Sequence, residues 1–110
     1  LSGHIFENII FNMLRSQLKF SPTQIHFWRT RDQAEVDFVL ETGLDVIPVE
    51  AKYTKIKKTE IPRSFRSFIG KYTPKIGYII HLGKESKTEV NSTEILILPF
   101  YNLVGQKIVT

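Results

Sequence analysis

Apolar residues recur at three- and four-residue spacing near the start of the chain: Phe6, Ile9, Ile10, Met13, Leu14 and Leu18. That period predicts an amphipathic helix over residues 4–19, with Ser2 as its N-cap and Ser21-Pro22 as its stop. The pattern then changes. Residues 24–30 are rich in strand formers, Arg31-Asp32-Gln33 reads as a turn, and residues 34–41 read as a second strand. A short loop, Thr42-Gly43-Leu44-Asp45, returns the chain to a third strand over 46–53. Links this short predict an antiparallel meander. After a basic loop at 55–58, helical spacing resumes at Ile61, Phe65, Phe68 and Ile69, with Thr59 a candidate cap and Pro62 tolerated in the first turn. Residues 76–82 form an apolar fourth strand, so the intervening helix predicts a right-handed crossover between parallel strands three and four. A polar loop is expected over 83–93, then a fifth strand over 94–98 ended by Pro99. The pattern assigns no element to residues 100–110.

The order is helix, three strands, helix, strand and a further C-terminal strand. Helices covering a mixed sheet make this an α/β sandwich. A chain of 110 residues, 42% hydrophobic, supports one domain over 1–110 with one core. No apolar run approaches the roughly 20 residues of a membrane span, so no membrane partner is expected. The absence of cysteine excludes thiolate metal sites and fits a cytoplasmic location. The chain begins at Leu1 and its only methionine is Met13, so it is expected to be a piece of a longer protein.

Charge adds a direction. Lys and Arg total 15 against 11 Asp and Glu, a net of +4, which favours polyanionic partners. A solvated lysine surface would give the same balance.

Strand parity supplies candidate chemistry. Side chains alternate across a strand, so Glu50 and Lys52 share a face while Ile47, Val49 and Ala51 point the other way. On the preceding strand Asp37 lies opposite Val36, Phe38 and Leu40. The apolar sides can then face one core while Asp37, Glu50 and Lys52 converge. Glu7, beside Ile10, Phe11 and Leu14 on the first helix, sits where it could reach the sheet. Carboxylates on adjacent strands are hard oxygen donors suited to Mg²⁺ or Mn²⁺, a cation that polarises phosphoryl oxygens and activates water. A lysine beside them can orient the attacking water or stabilise phosphoryl charge. Lys55, Lys57 and Lys58, with Arg63, Arg66 and Lys71 off the apolar helix face, could form a phosphate-contacting rim. His4, His26 and His81 form no ligand cluster by spacing, although His81 could approach the site. Gly70-Lys71 and Gly83-Lys84 lack the spacing of a phosphate-binding loop.

Asp37 followed by Glu50-Ala51-Lys52, on this order of elements, resembles the PD-(D/E)XK nuclease superfamily and its restriction-endonuclease-like fold. One branch is similar in more detail: the C-terminal domain of unknown function that follows the ATPase domain in many bacterial and archaeal AAA-type ATPases. The matching residues are Gly3-His4-Ile5-Phe6-Glu7, Phe27-Trp28-Arg29, Glu35-Val36-Asp37-Phe38, Glu50-Ala51-Lys52, Phe68 and Leu98-Pro99. The superfamily's proline before the aspartate is Val36 here. The resemblance implies that Asp37 and Glu50 bind metal with the backbone carbonyl of Ala51. It implies that Lys52 is the catalytic lysine and Glu7 the helix-borne acid. It further implies DNA as substrate, metal-dependent phosphodiester hydrolysis, and the ATPase domain of the parent chain as partner; a homo-oligomer stays open. The alternative is a catalytically inactive DNA- or protein-binding accessory module of the ATPase.

Overall fold

The hydroxyl of Ser2 accepts the Ile5 N–H at 3.2 Å and so caps helix α1 (Gly3–Gln17), as the sequence predicts. Helix α1 buries Phe6, Ile10 and Leu14. The meander follows as β1 (Gln24–Arg29), β2 (Glu35–Glu41) and β3 (Val46–Ala51), each antiparallel to its neighbour. Helix α2 (Arg63–Tyr72) crosses to β4 (Ile76–His81), which runs parallel to β3. The structure, a computed structural model, describes residues 2–105, 107 and 108.

Three findings differ from the sequence reading. Helix α2 begins after Pro62 rather than at a Thr59 cap, and closes on Thr73 in a left-handed conformation with φ 44°. The polar stretch at 83–93 is not all loop. It holds β5 (Ser86–Val90), which pairs antiparallel with β6 (Thr93–Pro99) through a tight hairpin. Asn91, with φ 51°, supplies the positive backbone angle such a hairpin needs. The segment left without an element contains a short helix, α3 (Asn102–Gly105).

The sheet has six strands in the order β1-β2-β3-β4-β6-β5, with β6 parallel to β4. The fold is therefore a small α/β domain on a mixed sheet. The parallel centre is covered on both sides, which explains why Tyr78, Ile79 and Ile80 form an unbroken buried run. On one side α1 packs Phe6, Ile10, Leu14 and Leu18 against Phe38, Leu40, Val49, Tyr78 and Ile80. On the other, α2 packs Phe65, Phe68 and Ile69 against Val36, Val39, Ile79, Ile95 and Ile97.

Helix α3 and Ile108 close the α1 side. The Gln17 amide donates to the Leu103 carbonyl at 2.9 Å and accepts the Ile108 N–H at 3.1 Å, while the Tyr78 hydroxyl donates to the Ile108 carbonyl at 2.9 Å. Among the described residues, no helix is long and apolar enough to cross a membrane.

Candidate functional site

The site lies where β2 and β3 part. Their last paired residues are Phe38 and Val49. Beyond that point two side chains take over the backbone donors. The Glu50 carboxylate accepts the Asp37 N–H at 3.0 Å, and the Asp37 carboxylate accepts the Ala51 N–H at 2.7 Å. Charge-assisted bonds of this length are among the stronger hydrogen bonds in proteins.

A bulge in β2 sets the direction of Asp37. His26 pairs with Val39 and Trp28 with Val36, so Phe27 alone faces both Asp37 and Phe38. The extra residue corrects one expectation: Val36 does not join Phe38 and Leu40 on the α1 side, but packs with Val39 on the α2 side. Phe38 keeps its place against Phe11 and Phe27. Trp28 packs edge-on to Phe68, with its indole N–H 3.3 Å from the Tyr72 hydroxyl.

Parity on β3 holds. Val49 and Ala51 join the α1-side core, while Glu50 and Lys52 stand together with Nζ and Oε2 3.7 Å apart. The Lys52 N–H donates to the Ile80 carbonyl at 2.8 Å, fixing its backbone against β4. Glu50 is buried, with 8% of its surface exposed, whereas the Lys52 side chain keeps 38%. Lys52 thus has a free reach that Glu50 lacks.

The electrostatics are those of crowded acids. Burial pushes the Asp37 carboxyl up to about 6, an effect offset in part by the Ala51 N–H and reinforced by the charge of Glu7. Burial, with Asp37 next, pushes Glu50 up to about 7, against the pull of the Asp37 N–H and Lys52. Glu7 is half-buried, and its charge acts on both carboxyls. Three acids thus face one lysine, and a cation between the carboxylates would relieve that imbalance. Among the described residues, no three His, Cys, Asp or Glu side chains stand close enough to hold a metal by themselves. The donors that fit a hard cation are Asp37 and Glu50, with the Ala51 carbonyl adjacent in sequence.

The predicted basic rim divides in two. Lys55, Lys57 and Lys58 line a concavity of about 530 Å³ together with Lys84, Ser86 and Tyr101. Arg63 lines a different one, beside Thr30, Asp32, Gln33 and Ala34. Arg66 is exposed, with Nε 3.4 Å from the Ile61 carbonyl.

His81 is the residue whose role the sequence reading missed. It is 2% exposed; its Nδ1 accepts the Ile56 N–H at 3.1 Å, and Nε2 lies 2.7 Å from the Lys84 carbonyl. Accepting at Nδ1 leaves Nε2 to donate, so the ring is neutral and joins the two loops of the lysine concavity. The sequence signal was a lone polar residue ending an apolar strand, with Gly83 just beyond. A Cβ at Gly83 would lie 2.7 Å from the imidazole.

A solved chain of a Thermococcus gammatolerans assembly, described as a refined half-complex of McrB AAA+ hexamers with bound McrC, shares this fold. The TM-score is 0.69 at 17% identity, over 96% of this chain and 30% of that one. Comparison with curated proteins returns no match. The model of the domain of unknown function DUF4143 matches residues 2–101, and the chain belongs to that family.

Proposed function

We propose that this is a metal-dependent nuclease-type domain with a restriction-endonuclease-like fold, hydrolysing DNA phosphodiesters. The observation that carries the reading is the convergence of Asp37, Glu50 and Lys52 at the opening between β2 and β3. Asp37, Glu50 and the Ala51 carbonyl would hold Mg²⁺ or Mn²⁺. The bound cation would supply charge neutralisation at the phosphate and activation of the attacking water. Lys52 reaches from the carboxylates toward solvent, and its ammonium stabilises charge on the phosphoryl group. Glu7 adds a third negative group from α1. Its roles would be to complete the acidic environment and to orient a water.

The fold likeness to a chain from an AAA+ assembly, which this chain matches over 30% of its length, supports a further part of the reading. The domain would act as one module beside an AAA-type ATPase, with oligomerisation following the ATPase.

A second reading has its own support. Asp37 and Glu50 already satisfy two backbone donors, so they can clamp the strand opening with no chemistry attached. The domain would then be an inactive DNA- or protein-binding accessory of the ATPase.

Incubation with supercoiled plasmid and Mn²⁺ separates the two. The nuclease reading expects nicking by wild type, abolished by Asp37→Ala and by Lys52→Ala. Equal nicking by all three proteins would mark a contaminant and sink it.

A further inference from the structure

The lysine concavity does not stand alone. Aromatic rings run from it toward the candidate site, with the exposed Tyr53, Phe100 and Tyr101 seated around the buried Phe6. Phe6, which precedes Glu7, contacts Tyr53, which follows Lys52, with ring centroids 5.3 Å apart. Phe6 also meets Phe100 edge-on at 6.1 Å, and Phe100 meets Tyr101 at 5.6 Å. Tyr101 lines the concavity that Lys55, Lys57, Lys58 and Lys84 border. Tyr53, Phe100 and Tyr101 are 41%, 38% and 60% exposed, so their rings are accessible.

The rim is held open by internal bonds. His81 fixes the Ile56 and Lys84 backbones. The Lys57 N–H donates to the Glu60 carboxylate at 2.7 Å, and Asn102 holds the Glu85 carboxylate at 3.0 Å. Glu85, the one acid lining the concavity among the described residues, is thus engaged at its edge while the lysines project.

Clustered lysines interleaved with exposed aromatic rings match the chemistry of an unpaired polynucleotide. The phosphates take the cations, and the bases, free of a duplex stack, lie on the rings. A duplex hides its base faces and could use only the lysines. We propose that residues Tyr53, Phe100 and Tyr101, with Lys55, Lys57, Lys58 and Lys84, form a single-strand path leading to the Asp37–Glu50 site. The substrate would be a single strand or the unpaired arm of a branched DNA. This deepens the nuclease reading and rests on it for cleavage, but binding along the path does not require cleavage.

The test is fluorescence anisotropy of the purified protein in EDTA, with a labelled thymidine oligonucleotide of roughly 20 nucleotides and a mixed-sequence duplex of equal length. Single strand is expected to bind more tightly than duplex. Tyr101→Ala should weaken single-strand binding on the order of tenfold, given typical base-stacking energies, and leave duplex binding unchanged. Tyr101→Phe, which keeps the ring, should bind as wild type. Lys57→Glu combined with Lys84→Glu should weaken both ligands and flatten the salt dependence. Equal affinity for the two ligands, or an unaltered Tyr101→Ala, would overturn the path. Single-strand preference in a protein that nicks nothing with Mn²⁺ would keep the path and remove the nuclease.

Discussion

Asp37 and Glu50 exchange their carboxylates across the β2–β3 opening, each capturing a backbone N–H of the other's strand. The arrangement keeps two buried acids together where neither has a full counter-charge. Its cost should be measurable. Asp37→Asn retains an acceptor for the Ala51 N–H but removes the charge. At pH 8 in EDTA it should be more stable than wild type by about 1–2 kcal/mol. Asp37→Ala loses the acceptor as well and should not gain as much. Urea denaturation of the three proteins checks the order.

The same pair predicts the pH dependence of the metal-free protein. Both folded-state values, about 6 for Asp37 and about 7 for Glu50, lie above the ordinary 3.8 and 4.5. The folded state therefore binds more protons than the unfolded one in that window. The favourable contribution is present in full below pH 4 and is lost as pH rises through 6 and 7. Melting temperature due to this pair should fall between pH 5 and pH 8, by roughly 10 °C for a loss of ~2 kcal/mol. Glu50→Gln should flatten the slope.

A divalent cation should reverse that slope. If Asp37 and Glu50 hold Mn²⁺, the ion raises the melting temperature of wild type at pH 8, its contribution to stability being about 2.7 kcal/mol at a hundredfold excess over Kd. Asp37→Asn should show little of this effect. A thermal shift equal in both proteins would place the ion elsewhere.

The His81 bridge makes a separate prediction. Replacing His81 by Ala removes a buried ring and both of its hydrogen bonds. The loss should be on the order of 3 kcal/mol. Hydrogen exchange should accelerate first at Ile56, whose N–H loses its acceptor. Gly83→Ala should produce a milder form of the same loosening, because its Cβ would press on the imidazole.

The residues differ in how plainly they announced these roles. Helix α1, the meander and the crossover were legible because their apolar periods are regular and their links short. Glu50 and Lys52 were legible because strand parity on β3 is undisturbed. Val36 was misplaced because the consecutive apolar run Phe38-Val39-Leu40 carries no mark of where the parity changes; only the register of β1 reveals the bulge. Strand β5 was hidden by composition. Its residues, Ser-Lys-Thr-Glu-Val, lie at the sheet edge and carry little apolar signal, and they are held by pairing to β6. His81 and Gln17 act through backbone groups distant in sequence, and no local pattern encodes such partners.

The bulge at Asp37 and Phe38 bears on how this domain can vary. Substitutions at the opening change its chemistry one group at a time. A one-residue deletion at the bulge would instead restore one-to-one pairing, with Val36 still opposite Trp28 and Val39 still opposite His26. A single residue would then face Phe27, so the strand could keep the Asp37 carboxylate or the Phe38 ring but not both. Lineages of this domain should therefore keep the count of residues between Trp28 and Phe38 fixed wherever Asp37 and Glu50 are both retained.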